Sequence, residues 1–155
     1  ALCVTGTLGR SGAAIRLFER GDTEWANELF RFTPRVVPGL AISSAATAMI
    51  DSSDGLARSL HQLSDSSDCG FAVETPLPID DAVDDVADDP ADRHELGVFF
   101  GEDFELVFTV PEASLPGLRD VCDVPISRIG TVTEGEEVTL DGVALPDRGY
   151  THGEA

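Results

Sequence analysis

Short apolar runs separated by segments of helical period constrain this chain more than any other feature. Residues 1–5, 46–50, 70–74 and 126–132 each read as one strand. Residues 105–110 alternate, with Leu106, Phe108 and Val110 to one side, and stop at Pro111. Between these runs apolar residues recur three and four apart: Ala13, Ala14, Leu17 and Phe18, then Trp25 and Leu29, then Leu56, Leu60 and Leu63. That spacing predicts a helix after residue 12, a second over 22–30 ended by Thr33-Pro34, and a third over 54–64 with Ser53 or Asp54 as its N-cap. Residues 39–46, rich in small side chains, and residues 112–121 predict two more helices, and residues 138–145 a hairpin turning at Asp141-Gly142. Strands and helices that alternate, with two strands together at the end, give an α/β or α+β layered domain. A chain of 155 residues is enough for one such domain with its own core.

Charge narrows the function classes. Asp and Glu number 29 against 10 basic residues, all Arg, for a formal net charge of −19. Nucleic acid and anionic membrane surfaces both demand a basic face, so neither is an expected partner. No stretch reaches the ~18 apolar residues of a membrane span, and no signal peptide is legible. Phosphate chemistry on so acidic a protein implies Mg²⁺ to screen like charges. The acid excess and the missing lysine read as a surface adapted to concentrated salt. In the run 80–89 helical spacing puts Asp81, Asp85 and Asp89 on one face, and the whole stretch 80–92 reads as surface. Cys3, Cys69 and Cys122 form neither a CxxC pair nor a cluster with histidine, so reduced thiols in a cytoplasmic protein are expected. His61, His94 and His152 are isolated and read as surface or packed residues, and no nucleophile–histidine arrangement follows from spacing. A chain that opens in mid-strand without Met reads as the downstream part of something longer.

Met49-Ile50-Asp51-Ser52-Ser53-Asp54-Gly55-Leu56 carries the most chemistry. A buried strand delivers Asp51 at its carboxyl end and a helix begins within a few residues, which offers free N–H groups to a phosphate. Asp51 and Asp54 flank that place with hard oxygen ligands suited to Mg²⁺, and Ser53 has a donor for a phosphate oxygen. An ordinary helix cap with a spare surface carboxylate explains the pattern equally well. Gly6-Thr7-Leu8-Gly9-Arg10-Ser11 is a tight turn or a phosphate contact, with Arg10 as the cation for an anionic group. Gly101-Glu102-Asp103-Phe104-Glu105 sets adjacent carboxylates in a turn before a strand, and Glu105 alternates onto the side expected to be solvated. Tyr150, the only tyrosine, is a frayed end or an aromatic that stacks on a flat ligand.

Taken together these segments resemble the thiamine-monophosphate kinase family. The matching residues are 4–11, Thr33-Pro34-Arg35-Val36, 48–56, 101–111, Ile129-Gly130-Thr131-Val132-Thr133-Glu134-Gly135, Val138-Thr139-Leu140-Asp141-Gly142 and Gly149-Tyr150-Thr151-His152. The resemblance is to that family's C-terminal half, so residues 1–155 are expected to be one C-terminal domain whose metal-binding and dimer-forming N-terminal partner lies upstream. It implies a three-layer α/β/α domain of the aminoimidazole ribonucleotide synthetase type, partly ferredoxin-like, with a mixed sheet. It also implies transfer of the ATP γ-phosphoryl group to thiamine monophosphate, giving thiamine diphosphate and ADP, in a homodimeric enzyme. In that reading Asp51 and Asp54 ligand Mg²⁺, Ser53 and Arg10 serve ATP, and Glu102 and Tyr150 contact thiamine monophosphate. No residue takes a covalent or proton-transfer role, and this segment alone is expected to be inactive. The alternatives are a sister enzyme of the superfamily with another acceptor, and an isolated Mg²⁺–nucleotide-binding module without turnover.

Overall fold

The computed structural model describes residues 1–150. A seven-stranded mixed sheet runs in the order β2-β4-β1-β5-β3-β6-β7. Its strands are β1 (Leu2–Thr5), β2 (Ala48–Asp51), β3 (Gly70–Val73), β4 (Leu106–Thr109), β5 (Ile126–Thr133), β6 (Val138–Leu140) and β7 (Val143–Ala144). Every neighbouring pair is antiparallel except β3 with β6. Strands β1, β2, β3 and β6 therefore point the same way, and their carboxyl ends share one sheet edge.

The helices are α1 (Arg10–Arg20), α2 (Thr23–Leu29), α3 (Val36–Ile42), α4 (Leu56–Ser67), α5 (Asp81–Val86), α6 (Pro90–His94) and α7 (Leu115–Val121). One turn of π-helix, Glu95–Phe99, continues α6, and a 3₁₀ turn, Glu112–Ser114, leads into α7. Both sheet faces are covered. Leu56, Leu60 and Leu63 of α4, with Val98 and Phe99, pack on Leu2, Val4, Phe71, Val73, Val107 and Ile129. Ile42 of α3 and Leu115 and Leu118 of α7 pack on Cys3, Phe108 and Ile126 from the other side. The alternation in β4 thus feeds two cores at once, Val107 into the first and Phe108 into the second.

Several expectations need correction. The helix expected at 39–46 is α3 at Val36–Ile42, because Pro38 is tolerated in a first turn and the chain leaves the helix before β2. Neither Ser53 nor Asp54 caps α4: the N-cap is Gly55, with no side-chain cap hydrogen bond. The Asp-rich stretch is only half surface. Asp80 and Asp89 each cap a short helix through their own side chains, and Ala82, Val83 and Val86 are buried against Ala13, Ala14, Leu17 and Leu29. A break at Ala87 keeps Asp89 off the face of Asp81 and Asp85. No element is expected from sequence over residues 90–99, where the structure forms α6 and its π-helical continuation. Cys3 is fully buried, Cys69 and Cys122 are half-buried, and all three are free thiols, with burial pushing the Cys3 thiol up to about 11.

Candidate functional site

At the shared strand edge, β2 ends in the turn Asp51–Gly55 and β4 begins after the loop Gly101–Glu105. Backbone hydrogen bonds join the two. Ser52 N donates to Glu105 O at 2.8 Å and Glu102 N donates to Ser53 O at 2.8 Å. Tyr150 closes a third side, its backbone N donating to Asp54 O at 3.1 Å. Gly101 is required by this approach, since a Cβ there would sit 2.2 Å from Ser53 O. Asp51, Ser53, Asp54, Glu102 and Tyr150 are thereby brought to one edge, although they come from three separate parts of the chain. Tyr150 is 57% exposed, and Asp51 and Glu102 are exposed as well.

Among the described residues, Asp51 and Asp54 each take a neutral side-chain partner at this edge. Ser53 Oγ donates to Asp51 Oδ1 at 3.3 Å and Gln62 Nε2 to Asp54 Oδ2 at 3.3 Å. No arginine forms an ion pair with Asp51, Asp54 or Glu102 among the described residues. Two carboxylates bearing only weak neutral donors suit a hard divalent cation that keeps water and phosphate oxygens in its shell. They do not make a complete cage: among the described residues no three His, Cys, Asp or Glu side chains gather to hold a metal ion. Mg²⁺ fits this donor set only as an open site finished by other groups.

The two remaining acids of the loop turn inward. Asp103 accepts from Gly9 N at 2.6 Å and Ser11 N at 3.0 Å, so its carboxylate fills the N-terminus of α1. A carboxylate of the chain thus takes the two N–H groups that a phosphate at the glycine turn 6–11 would otherwise use. Burial pushes the Asp103 carboxyl up to about 7, while the two N–H donors pull the other way. Arg10 reaches Glu28 O on α2 at 3.2 Å, and the structure does not show it at the 51–54 turn.

Glu105, expected in solvent, is buried with 5% of its surface exposed. Arg35 grips it through both oxygens, Nε to Oε2 at 2.8 Å and Nη2 to Oε1 at 2.6 Å, and Thr5 Oγ1 donates to Oε2 at 2.6 Å. The bond to Glu105 holds the Arg35 guanidinium above its ordinary pKa. Gly6, at φ +56°, admits the carboxylate, since a Cβ there would lie 2.1 Å from Oε1. The strand alternation predicted the side correctly but not its contents. Arg35 lay in a resembling segment, yet nothing local linked it to a glutamate 70 residues away.

His61 Nε2 lies 2.8 Å from Leu145 O, His94 packs edge-on against Phe99, and His152 lies outside the described residues. Among the described residues no helix is long and apolar enough to cross a membrane.

The seven-stranded mixed sheet with helices on both faces defines an α+β domain, and comparison makes its family specific. Residues 1–143 match the family "AIR synthase related protein, C-terminal domain", and the chain belongs to that family. Among curated relatives, the thiamine-monophosphate kinase of Halobacterium salinarum is 51% identical over 98% of this chain and 52% of its own length. That of Methanospirillum hungatei is 36% identical over 97% and 49%. The chain therefore spans about half the length of the curated relatives it matches. Among solved structures, the thiamine-monophosphate kinase of Stenotrophomonas maltophilia superposes with a TM-score of 0.82 at 31% identity, covering 92% of this chain and 50% of that one. AaThiL, complexed with AMPPCP and TMP, superposes at 0.80 with 26% identity over 98% and 50%.

Proposed function

We propose that this chain is the C-terminal half of a thiamine-monophosphate kinase, which transfers the ATP γ-phosphoryl group to thiamine monophosphate. The observation that carries the reading is the backbone weld of Glu102 N to Ser53 O and Tyr150 N to Asp54 O, which sets nucleotide-side and acceptor-side residues against each other. The 51% identity to the Halobacterium salinarum kinase supports it, as does the likeness to a kinase structure holding AMPPCP and TMP. In the reaction a phosphate oxygen of thiamine monophosphate attacks Pγ of ATP, the bond from Pγ to the bridging oxygen of ADP breaks, and thiamine diphosphate forms. An ionised phosphate has no proton to lose, so the transfer asks for positioning and charge screening rather than a general base.

Asp51 and Asp54 hold Mg²⁺, which when bound supplies positive charge between the two repelling phosphates. Ser53 donates to an ATP phosphate oxygen. Glu102 orients the acceptor, and Tyr150 borders its ring. Arg10 serves ATP only by leaving Glu28. The upstream half supplies the further metal ligands and the homodimer contact, in a cytoplasmic enzyme whose acidic surface suits concentrated salt. The test is Asp51→Asn in the chain joined to the corresponding upstream half of the Halobacterium salinarum relative. Turnover is expected to fall by about two orders of magnitude or more with the melting temperature held. Unchanged turnover would remove Asp51 from the site.

A further inference from the structure

The loop Gly101–Glu105 holds two side chains in unusual backbone conformations. Glu102 has φ +66° and Phe104 φ +53°, a left-handed geometry that is rare for any residue with a side chain and more so for a bulky ring. Such strain persists only where the surroundings hold it, and here they do. Asp103 is pinned to Gly9 N and Ser11 N, and Glu105 to Arg35 and Thr5. With those two turned inward, Glu102 and Phe104 are left on the outer side.

Phe104 does not lie loose there. Its ring stacks on Phe32 with centroids 4.7 Å apart and planes 17° from parallel, and Phe32 remains 43% exposed. Phe32 belongs to the segment whose Arg35 grips Glu105, so one buried ion pair fixes both the loop and the ring behind it. The surrounding charge is one-sided. Glu102, Asp51 and Asp54 carry no arginine partner among the described residues, while the nearby Arg35 is neutralised by Glu105. A flat two-ring stack whose Phe104 shares a loop with the exposed Glu102 carboxylate attracts a planar cation, which gains from the ring face and the carboxylate together.

We propose that Phe104, backed by Phe32, is the aromatic wall on which a planar cationic heteroaromatic ring of the phosphate acceptor rests. The inference deepens the kinase reading and rests on it: the thiazolium ring of thiamine monophosphate has this chemistry. Phe104 sets acceptor specificity and takes no part in handling ATP. Arg35 and Glu105 act through it as positioning residues.

The test uses this chain joined to the corresponding half of the Halobacterium salinarum kinase, with steady-state kinetics and calorimetric titration of thiamine monophosphate. Phe104→Leu is expected to raise KM and Kd for thiamine monophosphate about tenfold, with KM for ATP and kcat within about twofold. Phe104→Tyr keeps the aromatic face and is expected to stay near the parent. Phe32→Leu should move the same constants in the same direction by less. Equal binding of thiamine monophosphate by the parent and Phe104→Leu would overturn the proposal. So would equal losses toward both substrates with a lowered melting temperature, because the ring would then serve only to pack the loop. A parent that binds thiamine monophosphate and ATP yet makes no thiamine diphosphate overturns the kinase reading instead, and the titration then decides on Phe104 alone. A parent that binds neither overturns both.

Discussion

Replacing Arg35 by Met leaves a buried carboxylate without its counter-ion, and the size of the loss follows from the geometry. Glu105 keeps 6% of its side-chain surface and Arg35 20%, so water cannot solvate the acid once the guanidinium is gone. What remains to it is one hydroxyl, Thr5 Oγ1 at 2.6 Å. Removing one partner of a buried pair costs about 3–5 kcal/mol, and the partial exposure of Arg35 favours about 3 kcal/mol. In a domain of this size each kcal/mol moves the melting temperature by about 2–4 °C, so Arg35→Met is expected to melt about 6–12 °C below the parent. The assay is thermal unfolding by circular dichroism in molar KCl. Combining Arg35→Met with Glu105→Gln removes both charges and should recover part of the loss, which separates the cost of the orphaned acid from that of lost packing. A loss below about 1 kcal/mol, the value of a surface pair, would refute the argument, and so would a double variant whose loss is the sum of the two single ones.

Other consequences are as direct. Gly101→Ala drives a Cβ to 2.2 Å from Ser53 O and should cut turnover of the joined enzyme by at least about tenfold, whereas Gly117→Ala meets nothing within 4 Å and should leave turnover alone and stabilise α7 by about 0.5–1 kcal/mol, as melts and rates would record. The Asp103 carboxyl sits at about 7, above its unfolded value of 3.8, so its contribution to stability is complete below about pH 4 and fades as pH rises through 7. Asp103→Asn should flatten that part of a stability–pH curve, and a curve of unchanged shape would show that the group does not titrate there. Asp92 is held low first by the backbone N–H of Asp88, and Asp141 by that of Thr75, so both add stability above the ordinary carboxylate range and lose it as pH falls below. With 29 acids to 10 arginines, dialysis into low salt should unfold the domain, while a circular dichroism spectrum fully kept would contradict the halophilic reading.

Much of this architecture was legible because it is local. Each strand run and each helix stripe encodes its own period, and the 51–55 turn shows its chemistry in five consecutive letters. The pairings that matter at the site are not local. Glu105 alternates to one side whether that side holds water or Arg35, and only the fold brings residue 35 there. Asp103 and the glycine turn were both visible, but that one occupies the other's N–H groups needed β1 and β4 side by side. The Asp-rich stretch misled for a related reason. Its charges dominate the composition, while Ala82, Val83 and Val86, which dock it on α1, are small and few.

The most direct test of the central claim is a product assay in molar KCl with Mg²⁺, ATP and thiamine monophosphate. It compares this chain alone with the chain joined to its upstream counterpart. Thiamine diphosphate formed by the joined protein and not by the chain alone is the predicted result, since among the described residues no three His, Cys, Asp or Glu side chains gather to hold a metal ion by themselves. A joined protein that folds and binds ATP yet makes no thiamine diphosphate would contradict it.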